Sequence, residues 1–167
     1  MTRMPSFHES RTVRHAAGDM FELVADFERY PEFAPFCLAA RIRKRSSESS
    51  GVEILIADME VGYGSIRARF ATRDRLDREK GAISIVNLSG PFKHFESSWT
   101  FRDLPTGGSR IVFSTRYQFS NPALEFLFSR VFASVFSGLT RAFELRANQM
   151  AKASSPVQKA PDPPDGP

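Results

Sequence analysis

The residues that could do chemistry in this chain are few and scattered. Its three histidines, His8, His15 and His94, share no ligand spacing. They read as surface or loop residues, and no metal site is expected. Cys37 is alone, so neither a disulfide framework nor a cysteine-based metal site can form within the chain. That fits a reducing compartment. Gly62-Tyr63-Gly64 and Gly107-Gly108 are turn glycines that open no helix, so neither is a phosphate loop. No serine sits in a nucleophile elbow. Asp58 and Glu60 lie two apart on an expected strand and share a face, which could suit an acid–base pair. With Arg67 and Arg69 on the next strand, they read better as an outward cross-strand charge pattern. No catalytic residue is assigned, and no enzyme is expected.

The stronger signal is apolar. Sixteen phenylalanines stand against one tryptophan and three tyrosines. Phenylalanine brings apolar area without a hydrogen-bonding handle. Taken singly, Phe33, Phe36, Phe70, Trp99, Phe113, Phe132 and Phe136 each read as core. As a set, joined by Leu139, they suit the walls of a pocket for a long hydrocarbon chain, which needs many apolar walls and few polar groups.

A long helix over 121–151 must position the last of these. Asn121 caps it and Pro122 takes the first helical position. Leu124, Phe128, Val131, Val135, Leu139 and Ala142 recur at three- and four-residue steps, and Phe132, Phe136 and Phe143 widen that face. Arg141, Arg146 and Lys152 crowd the far end, where the helix dipole favours cations. The uncharged run reads as too short for a bilayer and Arg130 interrupts it, so the helix is expected to lie on a sheet.

The sheet comes from a first strand at 6–13 and six more at 38–46, 52–61, 65–76, 82–89, 94–103 and 109–119, with a polar loop over 46–51. In the fourth, Ile66, Ala68, Phe70 and Thr72 face inward while Arg67, Arg69 and Arg73 face water. Between the first two strands, Asp19 is placed to cap a short helix over 20–27. Pro31 and Pro35 then allow one further turn, which would aim Tyr30, Phe33 and Phe36 inward. Short turns between consecutive strands imply an antiparallel sheet. The fold class is therefore α+β: a helix grip, with a curved antiparallel sheet wrapped around the long C-terminal helix and two short helices after strand 1. Residues 1–151 form one domain, and the Pro-, Ala- and Asp-rich 152–167 reads as a disordered tail. The N-terminus shows neither a secretory signal nor a transit peptide. A net charge of +4 is ordinary for a solvated surface, with a modest preference for anionic lipid or RNA as the alternative.

Three segments carry a resemblance. Val24-Ala25-Asp26-Phe27-Glu28-Arg29-Tyr30-Pro31-Glu32-Phe33, continued by Pro35-Phe36-Cys37, resembles the V-x-D-V-E-x-Y-P-x-F-L-P-x-C segment of the coenzyme Q-binding, START-like family. Gly90-Pro91-Phe92-Lys93-His94-Phe95, followed by Trp99 and Phe101, is similar to its G-P-F-K motif. Phe119-Ser120-Asn121-Pro122 is similar to the start of its last helix. The resemblance implies a helix-grip fold with a hydrophobic tunnel and, as ligand, ubiquinone or a related polyprenyl lipid, with no further cofactor. By position it implies roles for Pro31, Phe33, Pro91, Phe92, Lys93 and Trp99, and it places the cavity mouth at Pro31, Pro91, Phe92 and Lys93. Ala34 departs from the family's leucine and loosens one wall.

The leading expectation is a lipid carrier or chaperone supporting respiratory electron transport, cytoplasmic and peripheral to the inner membrane. Some bacterial members of that family are described as a ribosome association toxin that hinders subunit joining. That alternative requires a contiguous basic surface, for which Arg41, Arg43, Lys44, Arg67, Arg69 and Arg73 are candidates. DNA is not expected as a partner. A cyclase or hydrolase would need polar groups converging inside the cavity, and the sequence shows few.

Overall fold

The computed structural model describes residues 4–154. Its strands are β1 (Ser6–Val13), β2 (Cys37–Ser49), β3 (Val52–Tyr63), β4 (Ile66–Asp77), β5 (Ala82–Ser89), β6 (Phe92–Asp103) and β7 (Ser109–Phe119). Helix α1 (Ala17–Ala25) and a 3-10 helix (Phe27–Glu32) lie between β1 and β2, and α2 (Pro122–Ser154) follows β7. The seven strands make one antiparallel sheet in the order β1-β7-β6-β5-β4-β3-β2. Six of them form a meander joined by short reversals, and β1 closes the far edge by pairing with β7. This is the helix-grip architecture that the element order implied.

Alternation sets the inner face. Ala68, Phe70, Thr72, Asp74 and Leu76 of β4 are buried, as are Phe95, Ser97, Trp99 and Phe101 of β6 and Ile111, Phe113, Thr115 and Tyr117 of β7. On β5, whose inward face the pattern left open, Ile83 and Ile85 turn inward. Strand β2 breaks the simple period. Register shifts at Cys37/Ala39, Ile42/Lys44 and Ser47/Ser49 bend it, and Leu38 is left exposed. The expected loop over 46–51 shrinks to Ser50-Gly51, because β2 continues through Ser49. Gly51 turns the chain at a φ of 78°.

Helix α2 starts as expected, with Asn121 Oδ1 accepting the Leu124 N–H at 2.9 Å. Its 33 residues span about 50 Å. The buried stripe is Phe128, Val131, Phe132, Val135, Phe136, Thr140, Phe143 and Ala147, while Leu124 and Leu139 are partly buried. The stripe therefore runs closer to the C-terminal end than the first expected row, and Phe126 and Leu127 in the N-terminal turns are exposed. By length and composition alone α2 could cross a membrane, contrary to the sequence reading, yet its aromatic face packs on the sheet. The helix continues to Ser154, three residues into the expected tail, and 155–167 lie outside the described residues.

Two polar devices fix the ends of the assembly. Helix α1 begins at Ala17, so Asp19 falls in its first turn instead of capping it. The cap comes from Asp103 at the end of β6, whose Oδ1 accepts the Ala17 N–H at 2.8 Å. Arg11 of β1 donates to the fully buried Thr140 hydroxyl at 3.2 Å and pairs with Glu144 and Glu9. This ties the sheet edge to the middle of α2.

Phe143 is the apolar counterpart. It is fully buried, with its ring centroid 5.2 Å from Tyr30, 5.1 Å from Phe33 and 5.3 Å from Trp99. Removing a ring from such a site leaves a cavity and costs about 3–5 kcal/mol. Phe143→Ala should lower the urea midpoint by that equivalent, followed through Trp99 fluorescence. A loss below about 1 kcal/mol would show that α2 is not seated on the 3-10 helix and β6 as described.

Candidate functional site

Between the inner face of the sheet and α2 lies a cavity of about 70 Å³. The 3-10 helix and the loop after it close its third side. Six of the expected residues line it: Phe70 from β4, Trp99 from β6, Phe113 from β7, and Phe132, Phe136 and Leu139 from α2. Phe95, Ile85, Met59, Val61 and Val135 complete most of the apolar wall.

The other expected residues go elsewhere. Phe33 packs against Phe143 and beneath the Arg146 guanidinium, 5.2 Å away, and does not line the cavity. Phe36 adopts a φ of 58°, a region costly for a side chain with a Cβ. Its ring lies against Tyr63 at 5.5 Å, in an outer groove. Pro31, Pro91, Phe92 and Lys93 do not form a mouth. Pro31 is exposed within the 3-10 helix and Lys93 is exposed on β6. Pro91 is buried, and Phe92 is buried among Phe95, Phe119 and Phe132. The sequence pattern missed this because a G-P-F-K motif marks a strand start without showing which way its aromatic turns. The partly exposed lining residues Ala34, Pro35 and Leu139 instead meet where the loop touches α2. Gly138 allows that approach, since a Cβ there would lie 3.3 Å from Pro35 Cγ.

The cavity wall also carries four polar side chains, of which the sequence reading turns only Tyr30 and Thr72 inward. They are Tyr30, Thr72, Asp74 and Ser97. Tyr30 donates to the Val24 carbonyl, and Ser97 donates to Thr115 Oγ1 at 2.8 Å, so both hydroxyls are occupied. Thr72 Oγ1 and Asp74 Oδ1 are buried with no hydrogen-bond partner. Burial pushes the Asp74 carboxyl up to about 6; the adjacent Thr72 hydroxyl works weakly against that rise without reaching good hydrogen-bond geometry. Tyr30 is raised well above its ordinary value, first by burial and then by the Asp74 charge. The Cys37 thiol, also in the wall, is pushed up to about 11 by burial, so it stays protonated and is a poor nucleophile. The alternation of β4 already placed Thr72 inward. Extending it by two residues would have found Asp74.

Outside the cavity, an open groove of about 900 Å³ runs beside the N-terminal half of α2, lined by Phe36, Tyr63, Ile66, Phe126, Leu127 and Arg130 among others. Phe126 is 90% exposed and Tyr63 64%. On the outer strand face, Arg69 pairs with Glu60 at 3.2 Å, Arg75 with Glu48 at 3.2 Å, and Arg43 with Asp58. Asp58 and Glu60 are thus charge partners on the outer face, with Asp58 turned to β2 instead of β4.

Comparison with known proteins places this arrangement among relatives. The family model for polyketide cyclase/dehydrase and lipid transport matches residues 13–144. The ribosome association toxin RatA of Escherichia coli K12 is 30% identical over 151 residues, 90% of this chain and 91% of the toxin. The mitochondrial coenzyme Q-binding protein COQ10 of Dictyostelium discoideum is 24% identical over 159 residues, 95% of this chain and 76% of that protein. The Zhui aromatase/cyclase from Streptomyces sp. R1128 has a TM-score of 0.78 at 16% identity, covering 93% of this chain and all of that one, which is a likeness of fold.

Asp74 gives the site a stability signature. With its pKa raised from 3.8 to about 6, the folded protein retains a proton that the unfolded chain releases. Stability therefore falls as pH rises from 3.8 towards 6, and the full penalty stands above it, about 3 kcal/mol for two pKa units. Asp74→Asn should raise the unfolding midpoint near pH 7.5 by about 1–3 kcal/mol equivalent and be close to neutral near pH 4. Equal stability of variant and native protein at both pH values would show that the carboxyl is solvated or paired.

Proposed function

Because the chain belongs to the polyketide cyclase/dehydrase and lipid transport family, a START-like group, we propose that it binds ubiquinone or a related polyprenyl lipid beneath α2. In this reading it is a carrier or chaperone that supports respiratory electron transport, and it is not an enzyme. The observation that carries the proposal is the aromatic cavity held between sheet and helix. Among its lining residues are no histidine, lysine or arginine; the Tyr30 and Ser97 hydroxyls are already hydrogen-bonded, and burial holds the Cys37 thiol protonated. Such a set holds a ligand better than it transforms one.

A cavity of about 70 Å³ is well short of the several hundred Å³ that enclose a lipid-sized ligand. Loading therefore requires α2 to part from the loop, which it meets where Pro35 lies against Gly138. The exposed Phe126, Tyr63 and Leu127, with Arg130 beside them, suit a membrane surface from which a lipid could be taken, at the cytoplasmic side of the inner membrane.

A second reading, association with a ribosomal subunit, is favoured by the RatA likeness and by Arg41, Lys44, Arg67 and Arg73, exposed with no salt bridge to a carboxylate among the described residues. The face is not purely basic, since Asp58, Glu60 and Glu48 are interleaved. Binding of RNA through it should weaken steeply with salt.

The two readings separate in experiment. Organic extracts of the purified protein should contain a prenylated lipid by mass spectrometry, and added ubiquinone should quench Trp99. Val135→Phe fills the cavity without adding charge, at an overpacking cost of about 1–3 kcal/mol, and should reduce quenching several-fold while the fold persists. Protein that carries no lipid and ignores added ubiquinone sinks the carrier reading. Salt-sensitive cosedimentation with ribosomal subunits, lost in an Arg67→Glu/Arg73→Glu double variant, would then put the ribosome reading first.

A further inference from the structure

Thr72 and Asp74 are two apart on β4, so their side chains share the inner face. Each is 4% exposed, both line the cavity, and each has an oxygen there without a hydrogen-bond partner. Buried polar atoms left unpaired are rare and costly. The other two polar side chains in the wall, Tyr30 and Ser97, are already committed to Val24 and Thr115. We propose that Thr72 and Asp74 form the head-group end of the cavity and that they select a hydroxyl-bearing ring, a quinol or phenol, over the corresponding quinone.

The selection follows from donor and acceptor types. The Thr72 hydroxyl can donate one hydrogen, and an ionised Asp74 only accepts. A ligand hydroxyl does both at once: it gives its hydrogen to Asp74 and takes one from Thr72. A quinone carbonyl can accept from Thr72 but turns a lone pair towards the carboxylate. An ammonium can donate to Asp74 but leaves the Thr72 hydrogen unpaired. At neutral pH the Asp74 carboxyl, its pKa pushed to about 6 by burial, is largely ionised and so presents the accepting form. Trp99, Phe95, Phe132, Val135 and Phe136 line the same cavity and supply flat and apolar surfaces for a ring and its chain. The head group would then lie deep and the chain would point to the seam at Pro35, the reverse of a ligand held by its polar end at a mouth.

The inference rests on the lipid-binding reading and is tested separately from it. Decylubiquinol, kept reduced under anaerobic conditions, and decylubiquinone are titrated against the whole protein near pH 7.5, followed by Trp99 quenching and by calorimetry. The quinol should bind at least about tenfold more tightly, the discrimination that one unpaired buried polar contact can give. In Asp74→Asn the amide can donate to a carbonyl, so the preference should collapse or invert. In Thr72→Val, similar in shape, quinol affinity should fall several-fold with melting little changed. Equal affinity for the two forms in the native protein, or a ratio that Asp74→Asn leaves unaltered, overturns the head-group assignment while leaving lipid binding in place. Failure of both forms to bind overturns the lipid reading, and the assignment with it.

Discussion

The structure depends on one long contact: the aromatic stripe of α2 laid along the concave face of the sheet. A sheet whose inner face carries Phe70, Phe95, Trp99, Phe101 and Phe113 cannot leave that face in water. A flat layer of helices could cover it; here a single 33-residue helix does so. One cylinder on a curled sheet meets it along a line and leaves space to the side. The cavity sits in that space, and α1 with the 3-10 helix seals what α2 does not reach. Phe132 contacts Phe70, Phe92, Phe119, Phe128 and Phe136, all with centroids 4.8–6.4 Å away. Edge-to-face and tilted arrangements of this kind are the ones that aromatic quadrupoles favour.

Against that background Asp74 is a departure. Among the described residues, the other titratable groups of the cavity wall are tied down or stay neutral: Tyr30 donates to a carbonyl, and Cys37 is held protonated. Asp74 alone brings charge into the cavity without a cation opposite it. A sequence under selection for stability alone would place an apolar residue at that position of β4, as it does at Phe70 and Leu76. A conflict between local packing and a buried polar choice is expected where function overrides stability.

Much of the fold could be read from the sequence, because periodicity reports which face is buried. The strand count, the antiparallel meander, the Asn121 cap and six of the lining residues all followed from alternation, spacing and caps. What could not be read depends on direction within a loop. Phe36 and Phe33 sit in a segment with no period, and the left-handed backbone at Phe36 turns its ring outward to Tyr63. Phe92 follows a Gly-Pro break and turns into the core instead of to a mouth. The cap of α1 comes from Asp103, far along the chain, so no local pattern contains it. The bulges in β2 interrupt its alternation, so a simple period does not reveal its inner face.

The two candidate activities use opposite faces of one strand. Phe70, Thr72 and Asp74 of β4 point to the cavity, while Arg67, Arg69 and Arg73 point outward. A slip of one residue in its register would exchange the two sets. The pairing of β4 with β3 runs without a bulge from Val52 opposite Asp77 to Tyr63 opposite Ile66, which fixes that register along twelve positions. Coupling between sites requires an element with two arrangements that both ligands bias. The β3–β4 ladder is not such an element. The helix is the better candidate: α2 holds to the sheet through side chains instead of a backbone ladder, and it lines the cavity with Phe132, Val135, Phe136 and Leu139. Occupancy of the cavity should therefore be felt along α2 and in the groove of Phe126 and Tyr63, which α2 helps to form, and not on the charged outer face. If the proposed lipid binds, the change it causes belongs to the helix side of the molecule.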